Sequence, residues 1–534
     1  MAIEGLMQDW PLTTDRFLEH AKRWHGSREV VSRSVEGPIV RSTYGEIHQR
    51  AKRLSSALLA LGVKQGDRVA TLAWNTGRHI EAWYATMGIG AVCHTLNPRL
   101  SVDQLHYIVD HAEDRIVFVD LNLAPLLATV LQRCRAVEHV VVMTARAHMP
   151  GALPRNTLCY EELLAAHGPD AQWGGFGEST ACGLCYTSGT TGNPKGVLYS
   201  HRSNFLHTLV TLQADVMGLS AADVVLPIVP MFHANAWGLA FSAPAVGAKL
   251  VMPGDKLDGP SVHELLEAEK VTFSAGVPTV WQRLLEHLDA TKGRLTSLRR
   301  AIVGGSACPE TMIRVFQDRY GVRLVHAWGM TETSPLGTIV APVPGAPAGF
   351  EVKQGRAPCG VDLKIIDEQG ERLAHDGKTM GRLKIRGAIV ARAYFKGDGE
   401  VLDAEGFFDT GDMATIDAAG FIQITDRAKD VIKSGGEWIS SIDLENIAVS
   451  HPQAAIAAVI ALPHAEWGER PLLIVQLRAG ATATKEEFLR LFEGRVPRWW
   501  IPNDVLFVPE IPLGATGKID KKALRQRHGD HELP

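Results

Sequence analysis

YTSGTTGNPKG, from Tyr186 to Gly196, packs three glycines, four small hydroxyl residues, one proline and one lysine into eleven positions. Neither a helix nor a half-buried strand is built from that composition. The apolar segment ACGLCYT (181–187) leads in and VLYSH (197–201) leads out, so the stretch reads as a loop fed by a strand. Glycines let backbone N–H groups turn inward, hydroxyls donate hydrogen bonds and an ammonium adds charge, a combination suited to a polyanion. It is not a Walker loop: that motif needs Gly-Lys-Ser/Thr, whereas Asn193 and Pro194 separate Gly192 from Lys195, and Gly196 follows the lysine.

Outward from this loop, the N-terminal two-thirds alternates apolar strands with amphipathic helices. Thr43-Tyr44-Gly45-Glu46 reads as a capping box. Behind it Ile47, Ala51, Leu54, Leu58 and Leu61 recur at helical spacing, with Gly62 as the stop. Asp67–Ala73 then reads as a short strand. This alternation predicts an α/β fold with a largely parallel sheet. After about Gly355 the short segments VDLKIID, GRLKIRG and GFIQITD predict a β-rich subdomain over 355–428. A new βα pattern follows the polar stretch TDRAKD. The expected division is a large N-terminal domain of mainly parallel α/β sheets over 1–428 and a small C-terminal α+β domain over 429–534.

Hydrophobic residues make up 46% of the 534 and charged residues 21%, enough for large cores and unlike a disordered chain. A net charge of −4 gives no basic surplus for nucleic acid or an anionic membrane. Seven scattered cysteines fit a reducing compartment better than a disulfide framework. Cys182 and Cys185 form a lone CxxC, but they lie in an apolar strand with no second Cys/His pair nearby and read as packing residues. No basic-then-apolar leader opens the chain and no apolar run reaches the ~18 residues of a membrane span. A cytoplasmic protein is expected.

YTSGTTGNPKG resembles the phosphate loop of the adenylate-forming superfamily, which contains acyl- and aryl-CoA synthetases, nonribosomal adenylation domains and beetle luciferases. The resemblance extends in order along nearly the whole chain through PMFHANAWG (230–238), GVPT (276–279), VGGSACP (303–309), HAWGMTETS (326–334), FFDTGD (407–412), DRAKDVIKSGGEWIS (426–440) and PLGATGKIDK (512–521). It implies ATP-dependent joining of a carboxylic acid to AMP, then transfer of the acyl group to the thiol of CoA, with Mg2+ as cofactor.

By this resemblance Thr187, Ser188, Gly189, Thr190, Thr191 and Lys195 cradle the β and γ phosphates. Glu332 is a Mg2+ ligand with Thr187 as the second, and Thr331 donates to the α-phosphate. Gly305, Ser306 and Trp328 form the adenine site, Trp328 standing where many relatives have tyrosine. Asp412 accepts the ribose hydroxyls beside Arg427, and Lys433 and Trp438 close over the nucleotide. Lys518 enters the site for adenylation and leaves before thioester formation, by rotation of the C-terminal domain about Lys429. The rotation presents Ser434, Gly435, Gly436 and Glu437 to the thiol channel.

The same resemblance places His233 beside the carboxylate and Trp237 at the mouth of an acyl pocket walled by Gly276, Gly304 and Pro335. These pocket segments carry no arginine or lysine, which favours an apolar acid. The stretches MQDWPLTTDRFLEHAKRWHG and LAWNTGRHIEAWYATMGIGAVCHTLNPRL resemble the branch holding bacterial medium-chain acyl-CoA ligases and methylmercaptopropionyl-CoA ligases. A short- to medium-chain fatty acid and methylmercaptopropionate both stand, since a thioether and a methylene are alike in bulk and polarity. An acyl-AMP ligase loading a carrier protein is the alternative acceptor chemistry, although no carrier domain is attached. The family resemblance also implies a homodimer.

Overall fold

The computed structural model describes residues 3, 5–151, 156–187, 193–397, 399–435, 437–514 and 518–533. The capping box forms: Thr43 Oγ1 accepts from Glu46 N–H at 3.3 Å and Glu46 Oε2 accepts from Thr43 N–H at 2.8 Å, opening helix Tyr44–Ala60. Ile47, Ala51, Leu54 and Leu58 line its buried face, and Gly62 follows with φ +80°.

Two parallel-centred sheets organise the N-terminal part. The first runs Thr157–Cys159, His139–Val142, Ile116–Val119, Arg68–Leu72, Val92–Thr95 and Ala181–Thr187, all parallel, with Lys195–Ser200 antiparallel at the edge. The second has Arg323–Gly329, Arg300–Val303, Phe273–Gly276, Val224–Pro227, Lys249–Met252 and Glu29–Arg33 in parallel. Leu336–Ile339 and Ile39–Thr43 close its edges antiparallel. Helix Gly77–Gly88 is buried at every position but Arg78, and its Trp83 and Tyr84 join a core that includes Val69 and Cys93 of one sheet and Val225 and Phe273 of the other. A helix buried on nearly every side belongs between layers, and its buried Glu81 is satisfied by Arg50 and Tyr160.

Beyond Gly355 the chain forms an antiparallel four-stranded sheet, Val361–Ile366, Gly381–Gly387, Phe408–Ile416 and Ile422–Arg427. The C-terminal region has its own five-stranded sheet: Glu437–Ile439, Ile432–Ser434, Gly468–Leu477 and Ala454–His464, with Asp504–Phe507 parallel to Gly468–Leu477. Phe488, Phe492, Ile474 and Leu472 are fully buried there, in cores separate from those of the N-terminal sheets. No helix among the described residues is long and apolar enough to cross a membrane. All seven cysteines are free, and Cys182 and Cys185 are both buried.

Candidate active site

The glycine-rich stretch joins two antiparallel strands, with Thr187 opposite Lys195 and Tyr186 opposite Gly196. Residues 188–192, and with them Ser188, Gly189, Thr190 and Thr191, lie outside the described residues. A Walker loop runs from a strand into a helix, whereas here the chain continues into an antiparallel strand of the same sheet. Thr187 is half-buried at the strand end and Lys195 is exposed, its Nζ 4.8 Å from the ring centroid of Tyr394.

Across from the hairpin, the chain leaves strand Arg323–Gly329 and makes a single helical turn at Thr331–Thr333. Thr331 and Glu332 are buried in it, and Tyr199 Oη of the hairpin donates to Thr331 O at 2.7 Å. Glu332 Oε1 accepts from Tyr394 Oη at 2.7 Å; no other side chain hydrogen-bonds this carboxylate among the described residues. Burial raises the Glu332 pKa, opposed by Tyr394 and by the Arg427 and Lys195 charges. No group of three or more His, Cys, Asp and Glu among the described residues could hold a metal unaided. A single buried carboxylate next to a phosphate loop nonetheless fits Mg2+, which takes most of its ligands from phosphate and water.

The nucleoside end is built where strand Phe408–Ile416 meets Ile422–Arg427. Asp412 and Arg427 are register partners, and Arg427 Nε lies 2.9 Å from Asp412 Oδ1. Trp328 Nε1 donates to Asp412 Oδ2 at 2.8 Å. Asp412 is 3% exposed; desolvation raises its pKa, while Arg427, Trp328 and Lys518 oppose the rise. The Trp328 ring lies so close to Gly337 that a Cβ there would sit 2.3 Å from Cζ3, so only glycine admits the indole in this place. Gly305 takes φ +83° beside it, and Ser306 is exposed.

Lys518 reaches this end from the C-terminal region. Its Cε comes within 3.8 Å of where a Gly305 Cβ would stand, and its charge is felt by His233 and Asp412. Desolvation, then the Arg427 charge, push the ammonium down to about 8, against the pull of Asp412 and Glu332. Burial, Lys518 and Arg99 hold His233 down at about 4, a neutral imidazole.

Lys429 is exposed in the short link between Ile422–Arg427 and Ile432–Ser434. Ala428, Asp430 and Val431 around it donate backbone hydrogen bonds, whereas none is recorded from the Lys429 N–H among the described residues. Ties across this link are Ser441 N–H to Asp426 Oδ2 at 2.8 Å, Lys433 to Glu368 at 3.4 Å and Arg478 to Glu286 at 3.6 Å, while Arg525 pairs with Asp430 at 2.6 Å on the far side of it. Lys433 and Trp438 pair with each other on a hairpin, and among the described residues the side-chain partners of the Lys433 ammonium are Trp438 and Glu368. Ser434 is buried and accepts from Arg470 Nη1 at 3.1 Å. Gly435 has φ +61°, Gly436 lies outside the described residues, and Glu437 begins strand Glu437–Ile439.

On the acid side, Ala234, Asn235, Ala236 and Trp237 all take left-handed φ values of 44–56° before Gly238, a conformation costly for side chains with a Cβ. This turn presents Trp237 to Gly304, whose Cβ would lie 3.3 Å from Trp237 Cη2 and 2.8 Å from the Ala327 carbonyl oxygen. Gly276 abuts Trp281, and Pro335 is buried after the Glu332 turn. A small cavity beside His233 is walled by Thr95, Leu96, Asn97, Leu100, Ile108, Tyr186 and Phe232; of the expected pocket residues it touches His233 alone.

Hairpin, buried acid, indole-braced aspartate and incoming lysine thus converge on one cleft. The AMP-binding enzyme family matches residues 17–395, and the AMP-binding enzyme C-terminal domain matches residues 443–518. The chain belongs to the AMP-binding enzyme family. A 3-methylmercaptopropionyl-CoA ligase of Ruegeria lacuscaerulensis is 47% identical to this AMP-binding enzyme over 98% of the chain and 99% of its own length. A medium-chain-fatty-acid–CoA ligase of Ectopseudomonas oleovorans is also 47% identical, over 98% of each chain. The crystal structure of an anthranilate CoA ligase with anthranoyl-AMP shares the fold, with a TM-score of 0.88 at 23% identity over 98% of this chain and 99% of that one. Within its family this AMP-binding enzyme is an acyl-CoA ligase.

Two residues of this AMP-binding enzyme's site escaped the sequence reading. Gly337 in TSPLGT looks like any turn glycine, and Tyr394 in ARAYFKG lies 62 residues from the acid it touches. Nothing local in ARAYFKG marks Tyr394, whose defining contact is long-range.

Proposed function

We propose that this acyl-CoA ligase adenylates a short- to medium-chain apolar acid and then passes the acyl group to CoA, with Lys518 serving the first half-reaction alone. The observation that carries this reading is the posture of Lys518. An ammonium from the far end of the chain lies among Gly305, Asp412 and His233, where the reacting carboxylate and the α-phosphate would meet.

Joining a carboxylate to ATP brings two anions together, so positioning and charge neutralisation dominate. Lys195 and the glycine-rich stretch hold the terminal phosphates, and Thr331 donates to the α-phosphate. Arg427 and Trp328 fix Asp412 so that its remaining lone pairs face the ribose hydroxyls. Glu332, with Thr187 as the second ligand, would hold Mg2+, which spreads negative charge off the phosphates. Neutral His233 lies beside the carboxylate without adding a competing cation. Lys518 then binds the carboxylate and the α-phosphate oxygens together; acyl-AMP forms and pyrophosphate leaves. The thiol of CoA attacks the acyl carbon and expels AMP after the region beyond Lys429 has turned Lys518 away.

The relatives at 47% identity support both a medium-chain fatty acid and 3-methylmercaptopropionate as the acid. Pyrophosphate release across butyrate to dodecanoate, with 3-methylmercaptopropionate alongside, is expected to peak on one of these. A peak on a dicarboxylic or amino acid overturns the apolar reading. CoA is expected to outcompete a phosphopantetheinyl carrier as acceptor in the same assay; preference for the carrier selects the acyl-AMP ligase alternative. A cytoplasmic homodimer completes the reading, and sedimentation of the full chain tests its stoichiometry.

A further inference from the structure

We propose that Tyr394 is a positioning residue that keeps the two opposite charges of the phosphate site apart, so that the cleft stays open to a nucleotide triphosphate and its cation. The proposal rests on the reading of Glu332 as a metal ligand and Lys195 as a phosphate-binding ammonium.

Glu332 and Lys195 face each other from the two parallel-centred sheets, close enough for the Lys195 charge to act on the carboxylate. With nothing between them, a flexible lysine and a buried carboxylate would close into an ion pair, because attraction grows as water is excluded. Tyr394 occupies the space between. Its hydroxyl donates to Glu332 Oε1 at 2.7 Å, and its ring carries Lys195 Nζ 4.8 Å from the centroid. A phenol is a neutral donor. It satisfies one carboxylate oxygen without cancelling the charge a divalent cation needs, while the ring face holds the ammonium by a cation–π contact.

The tyrosine is itself fixed from both sides. Ala391 N–H donates to Glu332 O at 2.7 Å and Ser334 Oγ donates to Ile389 O at 2.7 Å, pinning the strap to the acid's own turn. Phe395 N–H donates to Gly196 O at 2.8 Å, pinning it to the hairpin, where a Gly196 Cβ would lie 3.2 Å from Phe395 Cβ. Lys396 Nζ reaches His111 O at 3.0 Å and Glu113 Oε1 at 2.7 Å, and Phe408 packs edge-on against the Tyr394 ring. Residues 389–396 thus tie both halves of the phosphate site at the spacing Tyr394 sets.

Two variants of the full-length enzyme separate positioning from mere packing. Tyr394→Phe keeps the ring and loses the hydroxyl. The Mg2+ concentration for half-maximal acyl-AMP formation is expected to rise about 10- to 100-fold, with the rate restored at excess Mg2+. Calorimetric binding of a non-hydrolysable ATP analogue should weaken only when Mg2+ is present. Tyr394→Leu removes the ring as well, and metal-free analogue binding should then weaken too, because Lys195 closes onto Glu332. Thioester formation from supplied acyl-AMP should stay unchanged in both. An unchanged Mg2+ requirement in Tyr394→Phe overturns the proposal, as does an equal loss of both half-reactions. A wild-type enzyme that releases no pyrophosphate with any acid overturns the functional reading itself, which distinguishes the two failures.

Discussion

Lys518 is held at about 8 by burial and the neighbouring Arg427 charge, and its role requires the ammonium. The charged form is complete well below that value and is lost as pH rises through it. The kcat/KM for acyl-AMP formation is therefore expected to fall above about pH 8 with the slope of a single group. Lys518→Arg should carry its plateau to higher pH at a lower maximum, since guanidinium stays charged. Lys518→Ala should reduce acyl-AMP formation on the order of 100- to 1000-fold while sparing thioester formation from supplied acyl-AMP. Equal loss in both half-reactions would sink the assigned role. His233, near 4, contributes no inflection between pH 6 and 8. Trp328 offers a second check. Trp328→Phe keeps a flat ring but removes the donor to Asp412, so ATP should lose its advantage over 2′-deoxy-ATP by several-fold; Gly337→Ala should do the same by displacing the indole. Unaltered discrimination in both variants would detach Trp328 from the ribose.

Elements differ in how openly the sequence announces them. The helix behind Thr43 was readable because its cap, apolar spacing and stop all lie within 20 consecutive residues, where local physics is decisive. The glycine-rich turn was readable because its composition suits no regular element. Its hairpin geometry was not, since pairing of Thr187 with Lys195 depends on the second strand continuing the sheet rather than starting a helix. The strap at 389–396 gave no signal because every contact that defines it is long-range and its residues follow neither period. The link at Lys429 was expected from the family resemblance, and its local structure suits a hinge: a flanked residue whose own N–H donates to no recorded backbone acceptor. Proline there breaks no backbone hydrogen bond present among the described residues and restricts φ. Lys429→Pro is expected to leave adenylation within about threefold and to slow CoA thioester formation at least about 100-fold, as lost gating motions do. Full CoA turnover in that variant would remove Lys429 from the rotation.

At the scale of the whole molecule, the C-terminal region has cores of its own, and buried bonds tie it to the antiparallel four-stranded sheet: Ser440 Oγ donates to Thr425 O, and the Ser441 N–H and hydroxyl donate to Asp426 Oδ2. Lys433–Glu368 and Arg478–Glu286 are solvent-accessible ion pairs, each worth at most about 1 kcal/mol. What brings the region onto the cleft with purpose is Lys518, whose natural counter-charges arrive with the ligand. A non-hydrolysable acyl-AMP analogue should therefore stabilise the two parts unequally in a way that depends on this one side chain. In the wild type, hydrogen exchange should slow both in Arg323–Gly329 beside the nucleotide and in Ala454–His464 and Gly468–Leu477, because the analogue bridges the parts. At 100-fold excess over its Kd the gain is bounded by about 2.7 kcal/mol. In Lys518→Ala the first effect should persist and the second should vanish, since the analogue then contacts only the N-terminal sheets. Persistent protection of the C-terminal strands without Lys518 would mean that these direct ties, rather than the ligand's charge, hold the region in this posture.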